Sequence, residues 1–157
     1  METRREKAMR LFGQGYNCAQ SVILAYEDLL PAEDRSAIIR LSSSFGGGMG
    51  RLREVCGAVS AMFMIAGLLY GYEGPETGQI KADHYRRIQE LAAAFEQEKG
   101  TIVCRELLGL KEKHQSPVPE ARTAAYYAAR PCPELIGCAA QILEQALQDW
   151  QQTRDRS

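Results

Sequence analysis

Five cysteines, Cys18, Cys56, Cys104, Cys132 and Cys138, carry the most chemistry in this chain of 157 residues. Thiolates attack disulfides and ligate soft metals, so a set of them points to redox or metal chemistry. An odd count excludes complete pairing within one chain. The first four are separated by 38, 48 and 28 residues. No Cys-x-x-Cys occurs, so the spacing alone matches no standard zinc or ferredoxin motif. Without Cys-x-x-Cys-His, attachment of c-type haem is not expected.

The elements that must position these residues read as helices throughout, since no segment shows a period of two. A charged helix over 2–13 turns Ala8, Leu11 and Phe12 to one side, and Gly13 and Gly15 stop it. Residues 18–30 follow, capped by Asn17 and ended by Pro31. A further helix spans 32–43 with Ile38, Ile39 and Leu41. The run Phe45-Gly46-Gly47-Gly48-Met49-Gly50-Arg51 suits no regular helix. An apolar helix covers about 54–70. An amphipathic one covers 78–98, with Ile80, His84, Ile88, Leu91 and Phe95 on its inner stripe. Thr101 is placed as the cap of a short helix with Cys104, Leu107 and Leu108, and 110–119 reads as a loop. A helix over 120–129 precedes the last one, which runs from about Pro133 to 150 and buries Leu135, Ala139, Ile142, Ala146 and Trp150. The expected fold is all-α, a single-domain bundle of about six to seven helices over residues 1–157.

On this map four cysteines fall at the starts of four different helices. Cys18 follows the cap Asn17, Cys56 follows Glu54, Cys104 lies three residues after Thr101, and Cys132 precedes Pro133. Free backbone N–H groups and the positive end of the helix dipole favour a thiolate there, so lowered thiol pKa values are expected. If the four ends meet, they form a soft site of up to four sulfurs, suited to an iron–sulfur cluster or a reactive dithiol. Plain core packing is the competing reading of any free cysteine. It is the preferred one for Cys138, mid-helix beside Leu135 and Ile142.

At these residues the chain resembles the family of redox-active proteins named for its cysteine pattern, C-GCAxxG-C-C. The resemblance rests on Gly15-Tyr16-Asn17-Cys18-Ala19-Gln20-Ser21-Val22, on Phe45 to Arg51, and on Cys56-Gly57-Ala58-Val59-Ser60-Ala61. It continues through Cys104-Arg105-Glu106-Leu107-Leu108-Gly109 and through Cys132 with Ala139 to Glu144. Ala61 stands where the family has glycine, and Cys138 lies outside its four-cysteine set. The resemblance implies a small redox protein, associated with transporter systems and without an assigned reaction, and a likeness to a domain of split-Soret cytochromes. It assigns the four cysteines as Cys18, Cys56, Cys104 and Cys132.

Other features are weighed against these. The Gly46–Gly50 run has no preceding strand and no Gly-Lys-Ser/Thr, so it is not a phosphate loop. Gly47, Gly48 and Gly50, with Gly57, are read as letting backbone pass close to the cysteine site, with Arg51 as a source of positive charge. Glu54 is read as stabilising the start of the apolar helix. Tyr16 is a candidate shield for Cys18, and His84 a candidate ligand or proton donor beside its commoner role as a packed histidine. His114 is placed in the polar loop. Tyr126 and Tyr127 suggest an interface, and with it a homodimer. Nineteen basic and twenty acidic side chains leave no footprint for nucleic acid. The apolar run Val55–Tyr70, sixteen residues long, is short of the roughly 20 that cross a bilayer. The charged N-terminus is unlike a signal peptide, so a reducing cytoplasm is expected. Redox function is favoured over a zinc-stabilised binding module and over a purely structural role. Four sulfurs exceed what a two-cysteine couple needs, so a cluster is favoured over a metal-free dithiol. The electron donor or acceptor is not legible.

Overall fold

The computed structural model describes residues 1–75, 78–113 and 115–157. Among the described residues the chain forms eight helices and no strand. These are α1 (Arg4–Gly13), α2 (Cys18–Ala25), α3 (Arg35–Ser42), α4 (Gly57–Tyr70), α5 (Gln79–Lys99), α6 (Cys104–Leu107), α7 (Ala124–Ala129) and α8 (Cys132–Asp155). The fold is the expected all-α bundle, with six helices of eight residues or more and two short ones.

Local chemistry explains where the first helices begin. Thr3 and Glu6 close a capping box on α1, and Asn17 and Gln20 close another on α2. Each box satisfies backbone donors that a helix start leaves free. α4 is apolar nearly all round, so it belongs in the interior. Its Ala58, Val59, Ala61 and Met62 are fully buried. α2, α5 and α8 pack around it. Tyr26, at the end of α2, is sealed in this core and donates from its hydroxyl to the Ala140 carbonyl of α8 at 2.7 Å. Each large side chain buried in this way contributes about 1.5–3 kcal/mol.

The structure corrects several boundaries. The segment expected to be helical over 18–30 leaves the α-helix at Ala25 and continues as a 3₁₀ turn, Glu27–Leu29. α3 begins only at Arg35, and its Leu41 faces solvent. Ile80 is exposed rather than on the inner stripe of α5, where Leu91 and Phe95 are buried. Val103, not Thr101, caps α6. The Thr101 hydroxyl instead accepts from the Val103 amide and bonds to the Glu106 carboxylate. His114 lies outside the described residues.

Candidate functional site

Four helix starts meet at one place. Cys18 is the first residue of α2, Cys104 of α6 and Cys132 of α8, while Cys56 is the cap residue of α4, just outside the helix. All four line a single cavity of about 340 Å³. Each is a free thiol. A larger groove, about 730 Å³ between α5 and α8, has no cysteine in its wall. Cys138 is buried in the core, away from the cavity.

The backbone between α3 and α4 makes this convergence possible. Gly47, Gly48, Met49, Gly50 and Arg51 all have φ between 62° and 68°, and the Gly50 amide donates to the Gly46 carbonyl at 2.9 Å. This is one turn of left-handed helix, followed by Arg53 at φ 59°. Such a conformation costs an L-residue about 1–2 kcal/mol, and Met49, Arg51 and Arg53 bear it. The strain is tied to the site. The amides of Gly47, Ala19 and Gly57 lie by Cys18 and favour its charged form. A Cβ on Gly57 would lie 2.4 Å from Cys18 Sγ, and one on Gly48 would lie 2.6 Å from the Cys104 Cβ. The next residues dock α6: the Cys104 amide donates to the Glu54 carbonyl, and the Cys56 amide to Ile102 at 2.8 Å. Cys56 and Cys104 are thereby held side by side.

Of the glycines and arginine singled out from sequence, Gly47, Arg51 and Gly57 line the cavity. Gly48 lies beneath Cys104, and Gly50 closes the left-handed turn on its far side, with Ser44 O as its nearest neighbour. Arg51 donates to the Ser116 carbonyl at 2.6 Å. Glu54 does not serve the start of α4; its carboxylate pairs with Arg105 at 3.3 Å. Tyr16 is too exposed, at 39%, to shield Cys18. Tyr126 lines the cavity, and the Tyr127 ring packs edge-on against Phe12, so both tyrosines turn inward. His84 is absent from the cavity wall; it sits beside Tyr72, its Nδ1 buried without a hydrogen-bond partner among the described residues.

Burial overrides the helix ends in the electrostatics. Expected to be acidic, the Cys18 thiol is instead raised by desolvation, against the three amides that favour its charged form. Desolvation likewise raises Cys56, with Cys18 and Cys104 adding repulsion. Cys132 is pushed up to about 11, chiefly by burial and then by the charges of Cys18 and Cys104. Removing a charge from water outweighs a partial dipole.

Arg53 escapes sequence reasoning and places its guanidinium against the Cys104 sulfur. It is 5% exposed. Its Nη1 lies 3.6 Å from Cys104 Sγ, and its Nε and Nη2 donate to Gln115 Oε1 at 3.0 and 2.6 Å. Among the described residues no carboxylate pairs with it. The one available signal was its place two residues before Val55-Cys56, in the same irregular segment as the glycines. Pro119, Glu120 and Arg122 complete the wall. Arg122 stacks 4.2 Å over Phe12 and donates to the Phe12 and Tyr16 carbonyls, while Glu120 is taken by Arg130.

No three His, Cys, Asp or Glu side chains are grouped as ligands of one metal ion among the described residues. No helix among them is long and apolar enough to cross a membrane. No curated protein and no solved structure matches the chain. Residues 16–146 match the family described as "Putative redox-active protein (C_GCAxxG_C_C)", which spans the four cysteines of the cavity and the left-handed turn between them. The chain belongs to that redox-active family.

Proposed function

We propose that Cys18, Cys56, Cys104 and Cys132 hold an iron–sulfur cluster in this cavity and that the protein carries electrons in a reducing cytoplasm. One observation carries the reading: four thiols from four helix starts surround a cavity of about 340 Å³ without being paired to one another. The donor set fits such a group. Four soft sulfurs are the usual ligands of a cluster, and its negative charge calls for N–H donors and positive charge nearby. The amides at Cys18 and the guanidinium at Cys104 answer that need.

A cluster held by these cysteines would supply one-electron chemistry. The chain's own residues set the conditions. Phe12, Leu107, Leu135 and Ile136 in the wall keep the surroundings dry, which strengthens every charge interaction inside. The left-handed turn holds the Gly47 amide on Cys18. Arg51 and Arg53 bind residues 115 and 116 across the opening.

The test is iron, sulfide and the visible spectrum of protein purified without air, with single Cys→Ser variants. Stoichiometric iron and sulfide, lost on replacing any of the four cavity cysteines and kept in Cys138→Ser, is the expected result. Metal-free protein with a reversible disulfide between two of the four would replace the cluster by a dithiol couple.

A further inference from the structure

Arg53 combines three properties rarely found together. It is buried, its backbone is left-handed, and among the described residues its charge meets no carboxylate. A buried cation without a counter-ion is costly. Its hydrogen-bond acceptors are a neutral amide oxygen and a sulfur. Gln115 Oε1 takes two of its N–H groups and fixes the guanidinium plane, leaving Nη1 toward Cys104 Sγ. The nearby carboxylates are engaged elsewhere, Glu54 with Arg105 and Glu120 with Arg130.

We infer that Arg53 is the internal counter-cation of the sulfur centre, a positioning residue held by Gln115 that sets how readily the centre takes up an electron. This rests on the redox reading of the cavity. Reduction by one electron adds one negative charge to the centre. A fixed positive charge at Cys104, in a site shielded from water, favours that reduced form and raises the midpoint potential. The left-handed backbone at Arg53 is then strain retained for function.

The experiment is the midpoint potential of wild type, Arg53→Met, Arg53→Lys, Gln115→Glu and the remote control Arg86→Met, each checked for folding by circular dichroism. Arg53→Met removes the charge. Gln115→Glu keeps the guanidinium and supplies a carboxylate at the same two N–H groups, neutralising it from outside. Both are expected to lower the reduction equilibrium at least tenfold, about 59 mV for a one-electron couple. Arg53→Lys should recover part of the shift, and Arg86→Met none. If Arg53→Met fails to fold, Gln115→Glu alone decides. Unchanged potentials in the folded variants would overturn the inference. Iron content keeps the two questions apart. Iron-free protein with a reversible disulfide overturns both, because reducing a disulfide to two thiols takes up two protons with the two electrons and adds no charge for Arg53 to offset. Wild-type protein with neither centre overturns both.

Discussion

At Cys132 two effects of the same position oppose each other. As the first residue of α8 it sits at the positive end of a helix, and as part of the cavity wall it is withdrawn from water. Burial wins and the thiol is raised to about 11. In an unfolded chain it would titrate near the ordinary value of about 8.5. The folded state therefore binds the proton more tightly. Its contribution to stability is complete below about 8.5 and is lost as pH rises from there through about 11. Reduced, cluster-free protein should thus show a falling urea midpoint between pH 8 and pH 10.5. The fall should be smaller in Cys132→Ser, which cannot ionise. A flat profile, or one in which the variant falls equally, would mean that the wall is wetter than its geometry indicates. Occupation by a cluster removes the effect, because the ligating sulfurs are then deprotonated by the metal.

The left-handed turn shows at the level of an element why composition alone was not enough. Gly48 and Gly50 share the same backbone region, φ 68° and 62°, but not the same surroundings. A Cβ on Gly50 would meet only Ser44 O, at 3.8 Å, whereas one on Gly48 would meet the Cys104 Cβ at 2.6 Å and the Glu54 N at 2.8 Å. Gly50→Ala should cost about 1 kcal/mol, the strain of the conformation. Gly48→Ala should cost that plus about 1–3 kcal/mol of overpacking, and should also loosen Cys104, read as slower cluster assembly. Equal losses in thermal midpoint would show that α6 yields freely. The glycine cluster was legible as a break in helix, and Asn17 as a cap, since both are local effects. The handedness of the turn was not, because Met49, Arg51 and Arg53 give no local sign of adopting it. Thr101 misled for the same reason: a good capping residue lost its place once Val55 and Val103 bridged and fixed the chain's path. Arg53 was invisible because its role depends on Gln115, 62 residues away.

Across the whole molecule the core and the site share a wall, at Phe12, Cys56, Leu135 and Ile136. The core is built from α1, α2, α4, α5 and α8 around Val22, Ile23, Tyr26, Val59, Met62, Ile65, Leu91, Phe95, Ile136 and Leu143. The periodicity of those helices made the bundle readable in advance. Of the four proposed ligands Cys56 belongs to this core, and Cys18 and Cys132 pack against it. The site instead gathers the helix starts with α6, only four residues long, and the segment 115–122. A chain whose core closes without a metal should not behave like a zinc finger, which unfolds when its metal is removed. Stripping the cluster anaerobically with chelator and reductant should therefore leave far-UV circular dichroism largely helical. The thermal midpoint should still drop, because a ligand bound only by the folded state adds stability by mass action. Hydrogen exchange should locate the change, with faster exchange in α6 and residues 47–56 and little in α4 or α8 beyond its first turn. Loss of most helical signal on stripping would mean that the cluster, rather than the apolar packing of α4, organises the bundle.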